Sequence, residues 1–539
     1  MRLSKWGQTF RKHATGRSVT TTCRGSTISL DQLQRYTNGC FLINEAHAFS
    51  RRHLEFNVDE LCSLASRIGS KSAIREIEKL EGGFSKALLL KKTDGSELVA
   101  KLPFKIAGPS HYTTASEVAV LQYVSQHTEV PVPKVLAWNS DASNAIGSEY
   151  VIMEKAPGVQ LNKIWADMPD YDHFVLIKNL CALESQLAAI EFPAHGSLYL
   201  RESLKSNDGP VPLEPSSDPD GRFCIGPSCE RAWDEAKGDL RHKGPWLNLK
   251  AFGQALVHRE ISGIERTPAA QETGTHSPGS IASNSAILRM AEEVMARISP
   301  ESLPGRFSKP TLWHTDLHLG NIYVSEEDHT KIVSIIDWQS VVISPLLCQV
   351  RFPEFLELPE GYEVGGPVPE RPSNLDQMDE DDRMLAEHEH KQACMAKAYE
   401  AASGFKNKQV YKALQLPSYF KDLFERCGEA SEEGIVPLRA CLIEISKVWE
   451  DVGLEGECPI NFTAEELAAH EREFEEYSNF HKIRAIAREY LDTDSEGWLP
   501  PGADVEMKRR QNKELLELMM ERSAEYGMTA EEVRKMWPF

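Results

Sequence analysis

The chain has 539 residues, more than one compact domain usually holds, so two lobes or domains are expected. Hydrophobic residues make up 41% and charged residues 26%, a globular balance that excludes wholesale disorder. The formal net charge of −21 argues against a nucleic-acid partner, which selects a basic surface, and no run of about 18 apolar residues is present to cross a bilayer. The eleven cysteines contain no CxxC pair, and the nearest two, Cys224 and Cys229, have no histidine pair at zinc-finger spacing. They read as reduced, mostly buried thiols.

The first 30 residues differ from the rest. Arg2, Lys5, Arg11, Lys12, Arg17 and Arg24 occur before the first acidic residue, Asp31. On a helix, Leu3, Trp6 and Phe10 share one face while Lys5, Arg11 and Lys12 point elsewhere. An arginine-rich, hydroxyl-rich, acid-free and amphipathic stretch has the composition of a mitochondrial transit peptide, so residues 1–30 are expected to be one, with a disordered basic tail as the alternative, and the protein is expected in the mitochondrion.

Residues 31–155 read as an N-terminal extension followed by a small β-rich lobe. Glu81-Gly82-Gly83-Phe84-Ser85 is a glycine turn ahead of the apolar run Ala87-Leu88-Leu89-Leu90. Asp94-Gly95 is a hairpin signal before Leu98-Val99-Ala100-Lys101. A helix is predicted from about Thr113, with Glu117, Leu121 and Val124 on one face, closed off by Pro131 and Pro133. Tyr150-Val151-Ile152-Met153 reads as a buried strand ending at Glu154-Lys155.

Residues 156–539 read as a larger helical lobe with insertions. Segments 201–230 and 262–284 are expected to be exposed or flexible from their polar, Pro- and Ser-rich composition, and 360–384 to be a Pro-rich, then acidic linker. Ile322-Tyr323-Val324 and Ile332-Val333-Ser334-Ile335-Ile336 form a strand pair around the acidic tip Glu326-Glu327-Asp328. Beyond about 385 the pattern is helical, with capping boxes at Thr463-Ala464-Glu465-Glu466 and Thr529-Ala530-Glu531-Glu532.

The strongest chemical signal is Trp313-His314-Thr315-Asp316-Leu317-His318-Leu319-Gly320-Asn321, followed by Ile336-Asp337-Trp338. Phosphoryl transfer from ATP needs a carboxylate to orient and deprotonate the acceptor, and oxygen ligands for magnesium. An H-x-D-x-x-x-x-N loop with a second Asp one hairpin later supplies both: Asp316 as base, Asn321 and Asp337 as hard oxygen ligands. His318 could shape the loop without touching substrate. Upstream, Lys101 on its strand and Glu117 on the following helix fit a phosphate-holding cation and its supporting carboxylate. Gly83 and Ser85 could cover the phosphates, although paired glycines often only join strands. Met153 to Lys155 could offer backbone groups to adenine, on position alone.

This order of motifs resembles the aminoglycoside phosphotransferase family, whose usual H-G-D-L-H-x-G-N carries Thr315 here in place of the glycine. More narrowly, Tyr36-Thr37-Asn38-Gly39, Pro131-Val132-Pro133-Lys134-Val135, Gly196-Ser197-Leu198-Tyr199 and Asp337-Trp338-Gln339-Ser340 resemble a fungal branch that includes the mitochondrial "altered inheritance of mitochondria" proteins. The resemblance implies an α+β, two-lobed protein-kinase-like fold with ATP and magnesium as cofactors. The expected activity is transfer of a phosphoryl group to a hydroxyl of a small molecule. The alternative is a pseudokinase or nucleotide-binding scaffold without turnover. No Ala-Pro-Glu follows Asp337, so a peptide acceptor is less expected than a small one.

Overall fold

A computed structural model describes residues 19–234, 243–266 and 281–539. The amphipathic segment Leu3–Phe10 and most of the 262–284 insertion lie outside these residues.

The chain enters through β1 (Thr20–Cys23), β2 (Ser26–Thr27), α1 (Leu30–Gln34), β3 (Cys40–Phe41), α2 (Glu45–Arg52) and α3 (Val58–Arg67). It then builds β4 (Ile74–Glu81), β5 (Ser85–Lys92), β6 (Glu97–Pro103), α4 (Tyr112–His127), β7 (Val135–Asn139) and β8 (Tyr150–Glu154). These strands make one seven-stranded sheet in the order β2-β1-β4-β5-β6-β8-β7. The β4–β5, β5–β6 and β6–β8 pairings are antiparallel, whereas β1 joins β4 in parallel, Thr20 beside Glu76. Residues 20–27 are therefore part of the sheet edge, inside the span 1–30 expected to be a leader. Alternation along β5 and β6 turns Leu88, Leu90, Leu98, Ala100 and Leu102 onto Leu61 and Ala65 of α3, closing the core of this lobe.

Helix α4 spans the predicted region but is not amphipathic. Thr113 through Leu121 are all buried, because the helix is packed between the main sheet and a second, smaller one. That second sheet corrects the reading of 201–230 as an exposed loop. After β9 (Val159–Gln160) and α5 (Asp170–Ala189), strands β10 (Ser197–Leu200), β11 (Val211–Pro212) and β12 (Phe223–Gly226) pair in the order β10-β12-β11. The polar residues around them masked Phe223-Cys224-Ile225, which are fully buried. Cys224 and Cys229 both lie in this interior, and none of the eleven cysteines is paired or fully exposed.

The helical lobe follows with α6 (Leu249–Arg266), α7 (Ile281–Ala296), β13 (Pro310–Leu312), β14 (Ile322–Val324), β15 (Ile332–Ile335), β16 (Ile343–Pro345) and α8 (Leu346–Gln349). Then come α9 (Glu380–Lys406), α10 (Lys408–Leu414), α11 (Ser418–Gly428), α12 (Ala430–Glu433) and α13 (Val436–Lys447). The acidic run read as linker is the start of α9: the Asp379 carboxylate caps the Asp382 N–H at 2.9 Å, and Glu380, Asp381 and Asp382 occupy the first turn. Negative charge there is favoured by the exposed N–H groups and the helix dipole. The chain ends in α14 (Ala464–Leu491), β17 (Trp498–Leu499), α15 (Val505–Glu521) and α16 (Ala530–Met536), with capping boxes at Thr463 and Thr529 as predicted. Among the described residues no helix is long and apolar enough to cross a membrane.

A sheet-based lobe followed by a helical one gives the two-lobed α+β architecture expected from the sequence. One continuous apolar core joins them: Val118, Leu121 and Val124 of α4, Leu176 and Leu180 of α5, and Leu317, Ile322, Val324 and Trp338 around the candidate catalytic loop.

Truncating Ile152, fully buried in central strand β8, to Ala should lower unfolding free energy by about 2–5 kcal/mol in urea denaturation. Leu80→Ala, at a residue 44% exposed on β4, should change it by less than about 0.5 kcal/mol.

Candidate active site

Three segments distant in the chain meet at the ammonium of Lys101. Its Nζ lies 2.7 Å from Glu117 Oε1 on α4 and 2.6 Å from Asp337 Oδ1, just beyond β15. The lysine and glutamate are buried, while 42% of the Asp337 side chain remains open to the cleft. Burial by itself would lower the lysine, but the carboxylates of Asp337 and Glu117 outweigh it and push Lys101 up to about 12. Burial raises Glu117, and Lys101 opposes it only in part. For Asp337, loss of hydration on its inner side acts upward, yet the adjacent ammonium more than offsets this and holds the carboxyl below its usual range. Because its outer side stays wet, that attraction is partly screened.

The loop before β14 presents Asp316 as an exposed side chain and fixes it from behind. The Asn321 amide nitrogen donates to the Asp316 carbonyl at 2.9 Å and reaches its carboxylate at 3.4 Å, which leaves the Asn321 amide oxygen as its remaining polar atom. Ile336 N–H donates to the Asn321 carbonyl at 2.9 Å, so the β14–β15 hairpin sets Asp337 next to Asn321, as the sequence predicted. Asp337 has φ of +62°, a left-handed backbone that an aspartate tolerates better than most residues and that redirects its side chain from the strand.

His314 and His318 are placed as structural groups. His314 is buried, and its Nε2–H donates to the Ile336 carbonyl at 2.9 Å, the residue just before Asp337. A carbonyl can only accept, so Nε2 carries the proton, and burial lowers the pKa further from charging. His318 accepts the Gly320 N–H on Nδ1 at 3.0 Å. Glycine is required there, since a Cβ on residue 320 would sit 2.7 Å from the His318 ring.

The remaining predicted residues are more peripheral. Gly83 lies at the tip of the β4–β5 turn with open space where a Cβ would be, and Ser85 is the buried first residue of β5. Met153 is paired within the sheet, opposite Val99 and Val135. The Lys155 ammonium pairs with Glu97 at 2.7 Å, so any contribution to the cleft is left to its backbone. Sequence reasoning missed Gln160, whose amide donates to the Gly320 carbonyl at 2.5 Å from the interlobe strand β9. It also missed Arg231, whose guanidinium lies 4.0 Å from the centre of the Phe84 ring at the glycine turn and feels the Glu496 and Asp316 carboxylates. Neither stands in a recognisable motif.

The chain is 28% identical over 512 residues to a subtelomeric hrmA-associated cluster protein of Aspergillus fumigatus, covering 86% of this chain and 96% of that protein. It is 22% identical over 545 residues to altered inheritance of mitochondria protein 9, mitochondrial, of Candida albicans, covering 87% and 84%. Among solved structures it aligns with an APH(2") enzyme in complex with GDP and kanamycin at 14% identity and a TM-score of 0.35, over 73% of this chain and 99% of that one. A streptomycin–ATP complex of another APH(2") enzyme aligns at 13% identity and a TM-score of 0.36, over 72% and 97%.

The lowered Asp337 contributes stability that is fully present above the ordinary value of 3.8 and is lost as pH falls through its folded value. Lys101 contributes stability that is present below 10.5 and is lost as pH rises towards about 12. The urea midpoint of Asp337→Asn should therefore fall below wild type at pH 7, and the gap should close as the pH drops below 3.8. A gap independent of pH would show that the charge of Asp337 is not what matters.

The model of the phosphotransferase enzyme family (APH) matches residues 76–350, the segment running from β4 to the end of α8, and the chain belongs to that family.

Proposed function

We propose that this protein is a Mg·ATP-dependent phosphotransferase acting on a hydroxyl of a small molecule. The observation that carries the reading is the convergence of Lys101, Glu117 and Asp337 at 2.6–2.7 Å, beside a loop that holds Asp316 and Asn321 together. Lys101 would hold the nucleotide phosphates, with Glu117 keeping it extended and charged. The outward-facing Asp337 carboxylate and the Asn321 amide oxygen are hard donors suited to magnesium. Among the described residues no group of three or more His, Cys, Asp or Glu gathers as a metal cage. Two protein ligands with phosphate oxygens completing the shell is the mode magnesium favours. Asp316 would orient the acceptor hydroxyl and take its proton as the new O–P bond forms and the bond to the bridging β,γ-oxygen breaks.

Asp316→Asn should keep Mg·ATP binding and reduce phosphoryl transfer by about 10²–10⁴, measured as radiolabel passing from γ-labelled ATP into a metabolite extract. Asp337→Ala should abolish the magnesium-dependent stabilisation by ATP, which at 100 times the dissociation constant amounts to about 2.7 kcal/mol in wild type. Nucleotide binding with no transfer to any metabolite would favour the scaffold alternative, and wild-type transfer by Asp316→Asn would remove that residue from the role of base.

We further propose a mitochondrial location. It is supported by the basic, acid-free N-terminal composition and by relatives that bear mitochondrial names. Replacing Leu3, Trp6 and Phe10 with Ser should abolish import of the full chain into isolated mitochondria, and undiminished import would discard this reading of the segment.

A further inference from the structure

The glycine turn of a phosphotransferase is useful only if its backbone N–H groups are held in place, and its own two glycines supply no rigidity. Here the restraint comes from outside the residues matched by the family. Arg52, at the end of α2, is buried, and its Nε donates to the Gly83 carbonyl at 3.2 Å. Its Nη1 donates to the Ala48 carbonyl at 3.3 Å, and its guanidinium lies 5.0 Å from the Phe41 ring and 5.6 Å from the Tyr36 ring. A buried guanidinium needs a counter-charge, and Glu496 supplies it through Nη2, with Arg51 at 3.8 Å on the other carboxylate oxygen.

Glu496 is itself located by sheet pairing. Strand β17 pairs antiparallel with β3, Trp498 beside Phe41, and Leu42 N–H donates to the Gly497 carbonyl at 2.8 Å. The Trp498 indole donates to the Asn38 carbonyl at 2.8 Å. The same N-terminal extension grips the turn end of the hairpin. Glu81 accepts the Thr37 N–H at 2.8 Å and pairs with buried Lys79 and Lys86, while the Lys79 ammonium also donates to the Gln32 carbonyl at 2.8 Å.

From this geometry we infer that the C-terminal segment is a positioning element of the nucleotide site: Glu496 anchors Arg52, and Arg52 fixes the Gly83–Phe84 peptide so that the turn is pre-shaped for phosphate. In a trans peptide the carbonyl and the next N–H point in opposite directions, so pinning the Gly83 carbonyl on Arg52 turns the Phe84 N–H away from the guanidinium. Pre-shaping lowers the ordering cost of binding, so its loss is read as weaker nucleotide affinity. The inference about affinity rests on the ATP-site reading above; the inference about the brace does not.

The test uses the full chain with Glu496→Gln and, separately, Arg52→Lys, which keeps the charge but not a fork able to reach Glu496 and Gly83 together. The turn is closed by the Gly82 N–H on the Ser85 carbonyl and clamped by the Phe104 N–H on the Phe84 carbonyl. In apo protein, hydrogen exchange at Gly82 and Phe104 should accelerate about tenfold in both variants while Leu89 and Leu90 in β5 stay unchanged. The dissociation constant for Mg·ATP should rise about five- to tenfold, with kcat little altered. Unchanged exchange at Gly82 and Phe104 would overturn the brace whether or not ATP binds. Accelerated exchange with wild-type ATP affinity would overturn its role in nucleotide binding. Absence of Mg·ATP binding in wild type would defeat the ATP-site reading alone, with the exchange result still deciding the brace.

Discussion

Lys101 holds a positive charge at the junction of β6, α4 and the end of β15, and the architecture of the site depends on that charge being matched. An ammonium removed from water is tolerated only when its charge is compensated, and Glu117 and Asp337 both approach it within hydrogen-bond distance. The two carboxylates differ in setting. Glu117 is enclosed by the all-round buried helix α4 and acts on the lysine, whereas Asp337 keeps an open face and a left-handed backbone that aims it at the cleft. One partner of the lysine is thus enclosed by the fold, while the other keeps an exposed face.

Around this junction the helical lobe contributes rigidity as well as the Asp337 charge. Leu317, Ile322, Val324 and Trp338 are part of the apolar core shared with α4 and α5, so the loop bearing Asp316 cannot shift without disturbing both lobes. The polar contacts reinforce the same positions. Neutral His314 fixes the carbonyl before Asp337, His318 fixes the turn before Asn321, and Gln160 ties that turn to the interlobe strand. These contacts give the side chains of the candidate site a fixed backbone frame.

The residues outside the family-matched segment have a distinct place. The N-terminal extension pairs with the final strand, and together they lie against the glycine hairpin on one side and pack with Leu491 of α14 and Val505 of α15 on another. Their contacts converge on backbone groups and on the buried ion cluster of Lys79, Glu81 and Lys86, where burial depresses Lys86 to about 8 and Glu81 is its compensating partner. Contacts of this kind restrain the backbone beside a turn whose own glycines supply no rigidity.

Much of the site was legible in the sequence because it is local or ordered along the chain. The H-x-D-x-x-x-x-N spacing joins Asp316 and Asn321 within one loop, and the strand pair before Asp337 dictates a return to the same place. Lys101 and Glu117 were legible in their order relative to the glycine turn, whereas the one-face period read for the helix carrying Glu117 gave its place but not its burial on all sides. Composition misled where a polar frame surrounds a short apolar core, as at Phe223–Ile225, and where an acidic run caps a helix, as at Asp379. Arg52 and Glu496 were invisible for another reason: they are 444 positions apart, and neither has a local pattern that requires the other. Residue type and short spacing thus determined which groups could do the chemistry, because hydrogen-bond reach within a loop or hairpin leaves little choice. Tertiary packing alone decided which charges are buried and paired, because the cost of dehydrating an ion is set by neighbours that the chain brings together only on folding.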